Sequence, residues 1–357
     1  MKIRLALALA AVVPFALACP AAQDPSRLDP VPTGQGFQFA TEDISVPAGT
    51  EEQDCYFFKV SELAASNGLP SDKPINLHRI QVAQRAGSHH MNLFRVRTLV
   101  KLDPANGRIQ KGTNGSGECF KSSNWADWPL VANSQQDGNV DWTYPDGVAN
   151  SIQPDEWLML QTHFVNATTQ KTPQEYGHVT VNFWTLPDAQ VTAQLGTVFA
   201  TKQSIRVCQS NPAPTFHGAC QFNSQKPVTL IGANGHFHSR GVRFTMYTWD
   251  GQSAETPPDA ERFYDSKTWD DPPMLRSPEL NREVPAGGGV FYTCSYQWSA
   301  PAPSIGCDGL NTYDATKYGT AQSQQDCCYT FGPVVDQNEH CNAFIYYYPK
   351  QDDVNCF

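Results

Sequence analysis

Apolar and polar positions alternate in short runs along most of the chain. DISVPAG (43–49), CYFFKVSEL (55–63), INLHRIQVAQ (75–84), HHMNLFRVRTLV (89–100), EWLMLQTHFVN (156–166) and HVTVNFWTL (178–186) all follow this pattern. KPVTLIGANG (226–235), HFHSRGVRFTMYTWDG (236–251), GGGVFYTCSYQW (287–298) and CNAFIYYYPK (341–350) continue it. The runs are rich in β-branched and aromatic residues, and Pro, Gly, Asn and Asp fall between them. No segment keeps a helical period for three turns. The pattern predicts an all-β fold of β-sandwiches. The clearest boundary is LPDAQ (186–190), where a strand ends in a proline-containing turn. The polar stretch from about 300 to 330 predicts a region held by disulfides rather than by a core.

The first residues change the picture. MKIRLALALAAVVPFALAC has a basic start at Lys2 and Arg4, an apolar run from Leu5 to Leu17 and a small-x-small site at Ala16 to Ala18. This reads as an export signal over residues 1–18, too short and too polar afterwards to be a transmembrane helix. Cleavage leaves Cys19 first, in an Ala-Leu-Ala-Cys context similar to a bacterial lipobox. A lipid anchor at Cys19 is the one membrane contact the sequence suggests. Residues 19–36 read as a flexible leader. The chain has 11 cysteines. Setting aside Cys19 leaves an even number, which in an exported chain reads as a disulfide framework. Thiolate metal sites are thereby disfavoured, and histidine becomes the ligand to watch. A formal net charge of −10 gives no electrostatic case for nucleic acid. Length favours two domains, at 37–187 and 188–357.

Among nine histidines, the adjacent His89 and His90 raise a question, because neighbouring strand residues point to opposite faces. One reading puts one ring in the core and one in water. The other has both bind a single metal, which needs a twist or bulge in the strand. His163, in an alternating strand, supplies a third imidazole, and no carboxylate lies near these three in sequence. Such a set suits copper, zinc or iron rather than calcium or magnesium. His236 and His238, two apart in GHFHSRG, share one strand face and form a ready two-histidine clamp. His340, just before an apolar strand, is the candidate third ligand. His78, His178 and His217 read as structural.

Taken together, HHM, QTHF, HFH and NEHCN, with YPDGVA (144–149), CYFF at Cys55 and VFYTC at Cys294, occur in the order of a known family. The chain resembles the type II copper, ascorbate-dependent monooxygenases, the group of peptidylglycine α-hydroxylating and dopamine β-monooxygenases, over roughly residues 40–350. The resemblance implies two tandem jelly-roll-like β-sandwich domains, each with one copper, facing each other across a solvent cleft. It implies an electron-storage copper on His89, His90 and His163 and a dioxygen-binding copper on His236, His238 and His340. The implied reaction hydroxylates a C–H bond of a small organic substrate, with O2 and with ascorbate or another reductant. It also implies disulfides Cys55–Cys119 and Cys294–Cys341. The other six cysteines (Cys208, Cys220, Cys307, Cys327, Cys328 and Cys356) have no assigned pairing, and adjacent Cys327 and Cys328 read as serving two bridges.

Two departures from that family bear on chemistry. Its methionine ligand is replaced by His340, between the retained Glu339 and Cys341, so both sites become all-histidine. The arginine and tyrosine with which the peptide-amidating branch reads a substrate carboxylate are replaced by Asn234 and Phe344. Asn342 is retained as a substrate-binding candidate. Peptide amidation is therefore disfavoured. Two other readings stand beside the hydroxylase: a non-catalytic exported copper-binding protein, and a zinc hydrolase on His236, His238 and His340.

Overall fold

The computed structural model of the chain describes residues 24, 26–85, 88–96, 107–113, 128–135, 140–166, 175–299, 326–332 and 337–357. The export signal, Cys19 and Cys119 lie outside these residues. Among the described residues no helix is long and apolar enough to cross a membrane.

The fold is all-β. In the first half, one sheet runs in the order Gly36–Ala40, Val179–Thr185, Ile75–Gln84, Val148–Ile152, Ala193–Gln194, with Val140–Thr143 also on Ile75–Gln84. The facing sheet runs Gly107–Thr113, Thr50–Lys59, Trp157–Asn166, Ser88–Arg95, Leu130–Gln135. Their inward positions, among them Phe37, Phe57, Leu77, Leu93, Leu160 and Phe183, form one core. In the second half, one sheet runs Gly196–Thr201, Asn342–Tyr348, Val228–His236, Met274–Arg276. It faces a sheet in the order Arg262–Ser266, Gly241–Trp249, Gly289–Tyr296, Thr215–Phe222, Val354–Cys356. A second core lies between them. Alternating sequence becomes paired sheet because each strand can bury one apolar face only against another sheet.

The two halves are welded. Ile231, Met274, Phe344 and Tyr346 of the second half belong to the core of the first. The Tyr346 hydroxyl accepts the Asn133 backbone N–H at 2.9 Å and donates to Asn133 Oδ1 at 2.7 Å. Trp142 Nε1 donates to Ser277 Oγ at 3.1 Å.

Described residues of the leader pack against the first sheet. Thr180 Oγ1 and Asn182 Nδ2 donate to the carbonyls of Ser26 and Asp29, and Gln38 Nε2 to that of Leu28. Val31 is buried as well, so this segment bonds to side chains of the first two strands of that sheet. CYFFKVSEL is not strand throughout: Thr50–Lys59 is strand and Val60–Ser66 is a short α-helix. Leu63, Ala64 and Ala65 favour helix, and Gly68 ends it at φ +70°. There the N–H groups of Gly68 and Leu69 bond back to the carbonyls of Ala65 and Ala64.

Three disulfides are described: Cys208–Cys328, Cys220–Cys356 and the expected Cys294–Cys341. Cys327 is disulfide-bonded too, so the adjacent pair serves two bridges. Cys55 is disulfide-bonded, and its expected partner lies outside the described residues. Disulfides of this number fit an oxidising environment.

Candidate metal centre

The adjacent histidines sit at a bulge. In the pairing of Ser88–Arg95 with Trp157–Asn166, His90 stands opposite His163 and Ser88 opposite Phe164, so His89 has no partner across the ladder. The extra residue breaks the alternation and lets both imidazoles reach one side. The three rings make a nearly equilateral triangle. Centroids are 5.0 Å apart for His89–His90, 5.1 Å for His89–His163 and 5.0 Å for His90–His163.

The second group is built at the ends of two paired strands. His236 closes the strand Val228–His236 and stands opposite Asn342. Phe237 points the other way, into the second core, where it stacks on Phe244 and lies so close to Gly241 that a Cβ there would collide with its ring. His238 thereby returns to the face of His236, with centroids 5.3 Å apart. His340 lies 4.1 Å from His238 and 5.3 Å from His236 by ring centroid, with Phe331 against its other side. Cys341 ties this segment to the opposite sheet, and Tyr296 donates its hydroxyl to the His340 carbonyl at 2.6 Å.

The two groups are in contact, which corrects the expectation of a solvent cleft between them. His89 is 5.3 Å from His236 and 6.0 Å from His238, and His90 is 5.3 Å from His236. None of the six rings belongs to a residue more than 7 % exposed. The triple of nitrogens that converges within 4.8 Å in the second group consists of His89, His236 and His238. It contains His89 where the sequence reading has His340. The first triple, His89, His90 and His163, converges as closely.

Burial sets the charge state. Desolvation, helped by repulsion from neighbouring imidazoles, holds His89, His90, His236 and His340 well below the usual histidine range. His238 falls to about 3 for the same leading reason. These rings are neutral and able to offer lone pairs. Yet His89 Nε2, His90 Nδ1, His163 Nδ1, both nitrogens of His236 and His340 Nδ1 are buried without a hydrogen-bond partner. An unsatisfied buried polar atom costs about 1–3 kcal/mol. So many in one place fit a bound cation, and an all-imidazole donor set suits copper, zinc or iron.

Other residues orient the rings. His163 Nε2 lies 2.8 Å from Glu51 Oε2, so Nε2–H donates outward and Nδ1 faces the group. His238 Nδ1 donates to the Asn338 carbonyl at 3.0 Å, leaving Nε2 free. Glu339 is fully buried and accepts the backbone N–H of His238 at 3.0 Å and of Arg240 at 2.8 Å, shaping the turn after the clamp. Sequence reasoning saw no carboxylate near the first three histidines. Glu51 is that carboxylate, on the strand beside His163, where Gln53 is the direct partner. Only the strand register could have revealed it.

The remaining singled-out positions have structural partners. Asn234 donates to the carbonyls of Pro272 and Pro273 and accepts from Asn133, and Phe344 stacks on Phe199 at 4.8 Å. Asn342 is buried beside His236, and its Oδ1 has no partner. His78 bonds the Val148 carbonyl, His178 lies against Thr41 and Thr180, and His217 stacks on Phe291. No family model matches the chain, and no curated protein matches it either.

Proposed function

We propose that the protein is an exported copper-dependent monooxygenase that hydroxylates a C–H bond of a small organic substrate, using O2 and a reductant such as ascorbate. In the balanced reaction, one oxygen atom enters the C–H bond and the other leaves as water, with two electrons and two protons supplied by the reductant and solvent. The observation that carries the reading is the convergence of six buried histidines, five of them with unpartnered ring nitrogens and two of them brought to one side by a bulge. Those residues fit copper: His89, His90 and His163 on one side, and His236, His238 and His340 on the other. Copper bound there would supply one-electron chemistry and dioxygen binding.

The chain's own residues do the rest. Glu51 and the Asn338 carbonyl hold His163 and His238 in the tautomers that present a lone pair inward. Burial keeps His89, His90, His236, His238 and His340 unprotonated and keeps bulk water from the reacting groups. Asn342 Oδ1, buried without a partner on the residue opposite His236, is the candidate to accept a substrate N–H or O–H. Asn234 and Phe344 are committed to packing, which supports a substrate without the charged end of a glycine-extended peptide.

Full burial of the rings also favours a second reading, a copper-binding protein that does not turn over. A zinc hydrolase has less support, because both oxygens of Glu339 are spent on backbone N–H groups. Metal analysis combined with oxygen uptake separates the three. We expect about two coppers per chain and ascorbate-dependent uptake stimulated by a small organic substrate. Two coppers without turnover would select the second reading, and zinc in place of copper would overturn both.

A further inference from the structure

His89 belongs to both histidine groups. A ring nitrogen of His89 lies within 4.8 Å of nitrogens of His90 and His163, and a ring nitrogen of His89 lies within the same distance of nitrogens of His236 and His238. The centroid distances agree: 5.0 and 5.1 Å toward its own group, 5.3 and 6.0 Å toward the other. The bulge causes this. A ladder-paired residue stays over its own sheet, whereas the unpaired residue of a bulge is re-aimed, and here it is re-aimed at the second half of the molecule. His89 Nε2 is buried and has no hydrogen-bond partner. A neutral imidazole has one lone pair for one cation at a time, so two cations at these positions compete for it.

We infer that His89 is a ligand shared between the two metal positions: it completes one three-nitrogen set with His90 and His163 and another with His236 and His238. The two metals are then linked through one exchangeable imidazole. His340, 4.1 Å from His238 by ring centroid, is placed to serve the second position whenever His89 serves the first. The inference takes its metal from the copper reading above, but the ligand sets come from geometry alone.

The test uses copper alone as the probe, on the full chain. Stoichiometry and affinity are read by chelator competition, and the oxidised form by electron paramagnetic resonance. His163→Ala should lose one copper and leave the affinity of the other within about twofold. His89→Ala should lose one copper and also weaken the remaining one by about tenfold or more, with an altered copper(II) spectrum. His90→Ala, beside the bulge, controls for disturbance of the strand and should behave as His163→Ala does. If the copper left in His89→Ala is as tight and spectrally the same as that left in His163→Ala, His89 is not shared, while the copper reading stands. If His90→Ala weakens the second copper equally, the effect is a distorted strand and the inference falls. A parent chain that binds no copper overturns the copper reading and this inference together.

Discussion

Glu51 decides which nitrogen of His163 faces inward. Its carboxylate accepts a hydrogen bond from Nε2–H at 2.8 Å and so leaves Nδ1 to the centre. Outer carboxylates of this kind orient the ring and raise its basicity. Glu51→Gln keeps the shape and removes the charge, so copper at the first group should weaken by about 10- to 100-fold, with the second group little changed. Chelator competition on Glu51→Gln measures it, with His163→Ala alone identifying the second copper, and equal weakening of both coppers would contradict the assignment. His340→Met replaces a nitrogen donor by a thioether, which prefers Cu(I). X-ray absorption of the reduced variant should show a copper–sulfur contact that the parent lacks. The histidines were legible in sequence because pairs and two-residue spacings stand out. Glu51 was not, because its relation to His163 exists only across a ladder of hydrogen bonds, and nothing in TEEQD marks it.

At the level of elements, the need for a bulge was legible and its position was not. Adjacent histidines on one metal demand a break in alternation, but only the register shows that His89 is the residue left out. The strand reading of CYFFKVSEL failed in its second half, where alanines and a left-handed glycine outweigh the apolar alternation. The Cys294–Cys341 bridge was foreseen from the family resemblance. It pins the segment bearing His340 to the facing sheet, which Tyr296 also grips. Replacing both cysteines with serine should cost about 2–5 kcal/mol of stability. The loss of order should be local, so copper should fall at the second group before the first. Urea denaturation with metal analysis of the folded fraction checks this, and an unchanged copper content with lowered stability would confine the bridge to a structural role.

For the molecule as a whole, the buried imidazoles make stability depend on pH. Desolvation is the leading cause that holds five of them below the usual value of 6.5, His238 to about 3. In metal-free protein the unfolded chain takes up protons near 6.5 while these folded rings do not. The stability these five rings contribute is therefore fully present above about pH 6.5 and is lost progressively as pH falls toward 3. Each ring contributes up to about 1.4 kcal/mol for each pH unit. Denaturation midpoints of chelator-treated protein should drop steeply from pH 6.5 to 4, and a flat profile would mean that the rings are hydrated. Two sandwiches were legible from strand rhythm and length, but their close union was not. It rests on residues such as Phe344 and Tyr346, which read in sequence as ordinary strand interior and prove to belong to the core of the other half. The order of the sheet that carries His236 has a consequence in time. Asn342–Tyr348 lies between Gly196–Thr201 and Val228–His236, so two strands made early join one sheet only when one made much later lies between them. A ribosome or a translocation pore delivers the chain in sequence order. The second sandwich must therefore stay open until residue 348 has emerged. On the copper reading, metal loading at this centre is then an event that follows synthesis, and a chain cut short before that strand would leave His236 without Asn342, its partner across the ladder.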